Sequence, residues 1–338
     1  MNDLKKGAVW TLAEQFEGSL KQVSFELLSR GRSLANKLNT PLCSVLIGPA
    51  IKDETLSELI YRGADEVLVV EDDGLKYFSC ESYSAVFETL IREFEPEIIL
   101  AAATSTGRTL MPYVAIKVHA GLTADCTGLD IEDGNLLQTR PAIGGNIMAT
   151  IKTPDHRPQM ATVRPRSSRP LERDLGRQGK IRRFSLADTL PSGKHFPRVK
   201  KEGVRVLGYR NDEAGFTNLE EAELIIAGGR GLKKAENFGL LNELSKRLGG
   251  EVGASRDAVD RGWISYPHQI GLSGKTVSPK IYIGAGISGA IQHLAGIKTS
   301  EAIVSINTDP DANLHKLADL AIVGDALEVL GELKKRLI

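Results

Sequence analysis

Neither sign of charge is in excess in this chain: 43 Lys plus Arg stand against 43 Asp plus Glu in 338 residues. Without surplus cations to neutralise a phosphate backbone, nucleic acid is not an expected partner. Long apolar runs are also lacking, and the longest, such as Ile98 to Ala103, are far too short to cross a bilayer. Met1 to Lys6 is polar and leads straight into a strand-like stretch, so no secretory leader is expected and the cytoplasm is the expected location. Cysteine is scarce: Cys43, Cys80 and Cys126 stand far apart with no CxxC pair. That fits a reducing compartment and neutral thiols, with neither a zinc site nor a cysteine-ligated cluster, and no metal is expected.

What is present is a regular alternation. Ala8 to Ala13, Leu42 to Ile47, Glu66 to Val70 and Ile98 to Ala103 read as short apolar strands. Between and after them lie helical stretches: Val23, Leu27, Leu34 and Leu38 at near-helical spacing, then Asp53 to Tyr61, Tyr83 to Phe94 and Gly107 to His119. Strands alternating with helices of this length imply a parallel sheet covered on both faces. After Gly121 the pattern changes, and Thr127 to Ile131, Asp133-Gly134-Asn135 and Leu136 to Arg140 read as an added β-hairpin. Ile147 to Lys152 and Met160 to Val163 continue as strand-like pieces. Arg164 to Arg183 carries eight basic residues against two acidic ones, which reads as a solvated connector or as an arm for a partner. The stretch Pro191 to Gly203 marks a boundary, giving an N-terminal α/β domain over residues 1–203 and a second over 204–338.

The second domain alternates too, with strands at Glu223 to Ala227, Lys280 to Ile283, Ala302 to Ile306 and Leu320 to Val323. Two of them run into glycine-rich turns, and all four have a polar residue near the C-terminal edge, where open α/β sheets bind ligands. Gly284, Gly286 and Gly289 have GxGxxG spacing between a strand and an expected helix, with Ser288 placed to cap it. Backbone amides and a helix dipole at such a turn suit a pyrophosphate. The same glycines also serve plain strand–helix connections. The acidic ribose ligand of a nicotinamide site is missing; Asn307 stands instead, 23 residues after Gly284. Other residues carry two readings as well. Ser288 is a ligand or only a cap, Arg256 a ligand or a surface ion pair with Asp257, and His293 a ligand or a packed core histidine. His268 reads as part of its loop, and the loop Thr104 to Arg108 as an anion site or a simple helix cap.

Six blocks in order then carry a resemblance: Gly229-Arg230-Gly231-Leu232, Gly253-Ala254-Ser255-Arg256, Gln269-Ile270-Gly271-Leu272-Ser273-Gly274-Lys275-Thr276, Gly286-Ile287-Ser288-Gly289-Ala290-Ile291-Gln292-His293, Ile306-Asn307 and Gly324-Asp325. From about Arg205 to Ile338 the chain closely resembles the FAD-binding domain of electron-transfer flavoprotein alpha subunits. The resemblance implies a doubly wound C-terminal domain holding one FAD. It implies that Arg230, Ser255, Ser288, Gln292, Asn307 and Asp325 line the phosphates, ribityl chain and adenosine. Arg256, Ser273 and His293 would surround the flavin ring and tune it, with Gln269, Ile270, Gly271, Leu272, Gly289, Ala290 and Ile291 completing the lining. Ser273 stands where many members have threonine, and the hydroxyl is retained.

The blocks Gly121 to Leu129, Arg140 to Thr150, Arg157-Pro158-Gln159-Met160 and Thr162-Val163-Arg164-Pro165 resemble the branch that includes electron-bifurcating complexes. That branch implies an obligate beta subunit with a second FAD, reduced by NADH, where ordinary members hold AMP. One electron would go to ferredoxin or flavodoxin and one through this chain's FAD to an acyl-CoA or 2-hydroxy-acid dehydrogenase. Members that feed quinone share these signatures. Departures fall at Arg166, where glycine is usual, at Thr109, where aspartate is common, and at Asp311 to Leu314. The resemblance implies an electron-transfer subunit with no substrate chemistry of its own. A stand-alone nicotinamide-dependent dehydrogenase is disfavoured by the missing acidic ligand and by the absence of an acid–base constellation in the first domain. A non-catalytic nucleotide-binding module is the third reading.

Overall fold

The computed structural model describes residues 7–142, 147–196, 206–208, 219–220 and 222–337. Met1 to Lys6, Ile143 to Asn146 of the Arg140 block, and the expected 203/204 boundary lie outside the described residues. Two compact units are present, residues 1–208 and 209–338.

Seven parallel strands form the centre of the N-terminal unit, in the order Lys180–Ser185, Glu66–Glu71, Leu42–Gly48, Val9–Ala13, Ile98–Ala102, Gln159–Val163, Leu122–Cys126. The inner strands are buried along their whole length, as the unbroken apolar runs require of a sheet covered on both faces. Helices Gln22–Leu38, Asp53–Tyr61, Cys80–Phe94 and Ser105–Val118 cover it. On one side Trp10 packs between Phe87 and Phe94, with ring centroids 6.2 and 6.3 Å away. On the other, Leu27, Leu28, Leu34, Leu56 and Leu59 are fully buried, at about 1.5–3 kcal/mol each. No helix among the described residues is long and apolar enough to cross a membrane.

The hairpin is present as Gly128–Glu132 paired antiparallel with Asn135–Pro141, and Met148–Ile151 adds a third strand. The parallel pattern does not end at Gly121, however. Leu122–Cys126 is an edge strand, and the small antiparallel sheet is an excursion from it before Gln159–Val163 inserts one place inward.

The basic run corrects the expectation of a connector or arm. Its end, Lys180–Ser185, is the opposite edge strand, in parallel register with Glu66–Glu71. Phe184 anchors it against Phe94 and Phe196. The arginines face acidic residues on neighbouring elements: Arg164 with Asp125 (2.6 Å), Arg173 with Glu58, Arg177 with Asp65 (2.6 Å), Arg182 with Glu66, and Arg183 with Asp53 and Glu71. Such pairs contribute at most about 1 kcal/mol each when solvated, so the ladder and Phe184 hold the strand while the charges guard its edge.

The sheet order of this unit reverses between Val9–Ala13 and Ile98–Ala102, the crevice where a ligand would be sought. Buried Glu14 sits there. Thr104 donates to its carboxylate at 2.5 Å and accepts from the Gly107 amide at 3.2 Å, while Lys21 pairs with it at 3.3 Å. The loop Thr104 to Arg108 is therefore a helix cap. The Thr104 hydroxyl is committed to Glu14 and to the Gly107 amide.

Five parallel strands build the C-terminal unit, in the order Glu251–Ala254, Leu224–Gly228, Ile281–Ala285, Ala302–Asn307, Leu320–Val323. Helices Phe238–Leu248 and Ala326–Arg336 cover the face lined by Ile226, Ile283 and Ile306. Leu314, Ile287, Ile297 and Val277 fill the opposite face around Tyr282. This is the doubly wound arrangement expected.

Candidate functional site

In the C-terminal unit the strand order reverses between Leu224–Gly228 and Ile281–Ala285. Both glycine-rich turns leave the sheet there and are stitched to one another. The Gly229 amide donates to the Ala285 carbonyl (2.9 Å), and the Gly231 amide to the Gly286 carbonyl (3.0 Å). A Cβ on Gly231 would lie 2.6 Å from the Gly286 Cα, and one on Gly229 would lie 2.4 Å from the Gly286 oxygen. Gly286 also has φ +62°, the left-handed region that glycine tolerates. Contact between two turns therefore already requires glycine at these positions.

The second turn retains a feature that a plain connection does not need. The amides of Ile287, Ser288, Gly289 and Ala290 have no acceptor among the described residues. Ile287 and Gly289 are buried, while Ser288 is exposed. Successive unpaired amides at a sheet edge fit the oxygens of a diphosphate. Arg230, in the short turn Arg230–Leu232, is exposed and has no ion-pair partner among the described residues. The residues present thus fit an anionic ligand.

The helix expected after Ser288 is corrected. Only Ile291–Leu294 is helical, its cap position is Ala290, and Ser288 caps nothing. Gly289 lies at φ +85°, and the Ser288 carbonyl accepts from the Leu314 amide (3.2 Å), which keeps the turn extended. One helical turn has little dipole, so the case for an anion rests on the free amides.

Neighbouring strands bring further residues to this edge. The Ser255 amide bonds to the Gly228 carbonyl at 3.0 Å. Arg256 follows on the short helix Arg256–Asp260, exposed, and pairs at 3.2 Å with Asp260. The expected Asp257 partner instead takes Arg261 (3.2 Å), because i,i+4 spacing places side chains on one face of a helix. Asn307, nearly buried, donates to the Ile287 carbonyl (3.0 Å) and accepts from the Asp309 amide (3.1 Å), so it shapes the glycine turn. Asp325 caps the last helix through the Leu327 amide (2.8 Å) and pairs with Lys233 (2.7 Å), whose ammonium holds its carboxyl below the usual range.

A second group lies in the loop after Tyr266. Gln269 is buried and donates to both the carbonyl and the hydroxyl of Ser273, each at 3.0 Å. The Tyr266 hydroxyl donates to the same carbonyl at 2.8 Å. The Ile270 amide bonds to the Ala254 carbonyl (2.9 Å), and the Leu272 amide to the Gln292 carbonyl (2.9 Å). A Cβ on Gly271 would meet the Gln292 oxygen at 2.8 Å, so loop and short helix are in close contact. Leu272, Ser273, Ile291 and Gln292 are all exposed. His268 stays within its loop, beside Ser265 (3.1 Å).

His293 reads in sequence as a ligand beside the flavin ring or as a packed core histidine, and both of its ring nitrogens have partners within the protein. It is buried, with Nδ1 3.0 Å from the Ile270 carbonyl and Nε2 2.7 Å from the Tyr282 hydroxyl. Burial pushes its pKa down to about 4, so the imidazole is neutral near pH 7. Tyr282 was missed by sequence reasoning. The available signal was a tyrosine in an apolar strand, since a buried phenol needs a hydrogen-bond partner. Lys233 carried no such signal. No group of three or more potential metal ligands occurs among the described residues.

Comparison with known proteins agrees with this geometry. The chain matches the electron transfer flavoprotein domain over residues 9–189 and the electron transfer flavoprotein FAD-binding domain over residues 218–298. It is 48% identical to the electron transfer flavoprotein subunit alpha of Thermoanaerobacterium thermosaccharolyticum over 334 residues, covering 98% of this chain and 97% of that protein. It is 45% identical to the protein FixB of Clostridium saccharobutylicum, covering 98% and 97%. With the subunit alpha of Megasphaera elsdenii it shares 44% identity, covering 95% and 94%. A chain that carries both domains in this order and matches such relatives over nearly its whole length belongs to the electron-transfer flavoprotein alpha-subunit family.

Proposed function

We propose that the C-terminal unit holds one FAD and that the chain works as an obligate heterodimer with a beta subunit. When bound, FAD takes up and passes on electrons singly. Four free amides at Ile287 to Ala290, facing a switch point that carries Arg230, are the observation that supports a diphosphate there. In this reading Arg230 and Ser288 hold the phosphates, with Ser255 and Gln292 along the ribityl chain. Asn307 and Asp325 sit toward the adenosine. Arg256 and Ser273 stand at the ring, with Gln269 fixing the Ser273 hydroxyl. Ile270, Gly271, Leu272, Gly289, Ala290 and Ile291 form the remaining wall. His293 closes it from inside as a neutral imidazole already bonded within the protein.

The same reading assigns the chain to an NADH-dependent electron-bifurcating complex. The partner then carries a second FAD, ferredoxin or flavodoxin takes one electron, and an acyl-CoA or 2-hydroxy-acid dehydrogenase takes the other from this chain. The N-terminal blocks around Asp125 and Arg164, joined by a bidentate pair at 2.6 and 3.1 Å, support the branch. Nucleotide extraction from the purified heterodimer tests it. Two FAD per heterodimer is the expected result. One FAD plus AMP would refute bifurcation and leave a non-bifurcating or quinone-linked flavoprotein.

A further inference from the structure

We infer that Tyr282 is a positioning residue for the flavin site: its hydroxyl, 2.7 Å from Nε2 of His293, holds that imidazole against the Ile270 carbonyl and, through it, the turn that carries Ser273. This rests on the C-terminal unit being the flavin site.

The tautomer follows from the partners. A carbonyl can only accept, so the contact between Nδ1 and the Ile270 oxygen at 3.0 Å places the proton on Nδ1. Nε2 then presents its lone pair, and the Tyr282 hydroxyl must be the donor. Burial favours the neutral form of both partners, raising the phenol's pKa and lowering that of the imidazole. Tyr282 is fully buried on the strand Ile281–Ala285, which pairs with Leu224–Gly228 at the switch point. The phenol is therefore anchored on a central strand of the sheet.

From that anchor the hydrogen bonds run outward. Ile270 accepts from His293 through its carbonyl and donates through its amide to Ala254, the residue before Ser255 and Arg256. Leu272 donates to Gln292, next to His293 in sequence. Gly296 and Gly271 approach so closely that a Cβ on Gly296 would lie 2.7 Å from the Gly271 Cα. One phenol thus stands behind the ring candidates Arg256, Ser273 and His293.

The test is Tyr282→Phe in the full chain with its beta subunit, read by 15N NMR of histidine-labelled protein and by potentiometric titration. Six histidines make the spectrum tractable. In the native protein His293 should show the Nδ1–H tautomer with a hydrogen-bonded Nε2, whether or not flavin is present. In Tyr282→Phe the Nε2 resonance should move to that of an unbonded lone pair. The one-electron equilibrium should shift about tenfold away from reduction, which is about 59 mV, because the turn that presents the Ser273 hydroxyl loses its anchor. FAD content should stay at one per chain. The potential shift should vanish when Tyr282→Phe is made in a His293→Gln background, as coupled residues require. A native His293 spectrum lacking a bonded Nε2 overturns the inference whatever the flavin does. So does an unchanged potential in Tyr282→Phe with full FAD, or an equal shift in both backgrounds. A native heterodimer without FAD in this chain defeats the flavin reading instead, and the apoprotein spectrum still tests the tyrosine–histidine bond.

Discussion

Replacing Gly286 with valine is expected to abolish flavin retention and to destabilise the C-terminal unit by more than about 4 kcal/mol. Two effects combine. At φ +62° a β-branched residue is strained, and its Cβ would lie 2.6 Å from the Gly231 Cα and 2.8 Å from the Gly231 carbonyl carbon. Those atoms belong to backbone held by the bond from the Gly231 amide to the Gly286 carbonyl, so neither turn can yield without separating the two central strands. Gly231→Ala should repeat the defect from the other side, with a Cβ 2.6 Å from the Gly286 Cα. Gly239→Ala is the control. Its site, within the helix Phe238–Leu248, has nothing within 4 Å, and alanine there should stabilise by about 0.5–1 kcal/mol. Hydrogen exchange of the Ile281–Ala285 amides, with flavin absorbance, separates these outcomes. A Gly286→Val protein with native protection would show that the turns do not depend on one another.

Arg256→Ala is expected to retain most FAD and to lower its one-electron potential. A guanidinium about 4 Å from an anionic ring gains on the order of 4 kcal/mol at an effective dielectric near 20. The structure reduces that figure. Arg256 is 70% exposed and paired with Asp260 at 3.2 Å, so solvent and a carboxylate already screen it. About 1 kcal/mol is the more realistic magnitude, or roughly 40 mV for one electron. Asp260→Asn should move the potential the opposite way by releasing the guanidinium. If neither substitution changes a potentiometric titration, Arg256 does not face the ring.

Most of the architecture was readable because burial on both faces leaves apolar runs of strand length, as in Leu42–Gly48 and Ile98–Ala102, separated by helical periodicity. The two edge strands of the larger sheet were not. Leu122–Cys126 is mixed in polarity, and Lys180–Ser185 has basic residues on a solvated edge, so neither looks like an interior strand. At the site, the GxGxxG spacing located the turn with the unpaired amides but not the reason for its glycines. Two of the three glycines meet protein atoms on the segment around Leu314, and Gly286 meets the opposite turn. Contacts across strands, such as Lys233 with Asp325 or Tyr282 with His293, depend on register and on which side chains share a face. Spacing along one chain does not contain that information. His293 illustrates the difference, since its sequence context leaves it as a ligand or a core histidine while its neighbours in space use both ring nitrogens.

Whether the C-terminal unit carries a flavin decides the functional reading. The full chain should be co-purified with its beta subunit, and its pigment assigned by absorbance and by extraction before and after Gly286→Val. The expected result is a yellow heterodimer that loses one FAD, and only one, in the variant. A colourless native chain that binds NADH tightly by itself would contradict the account.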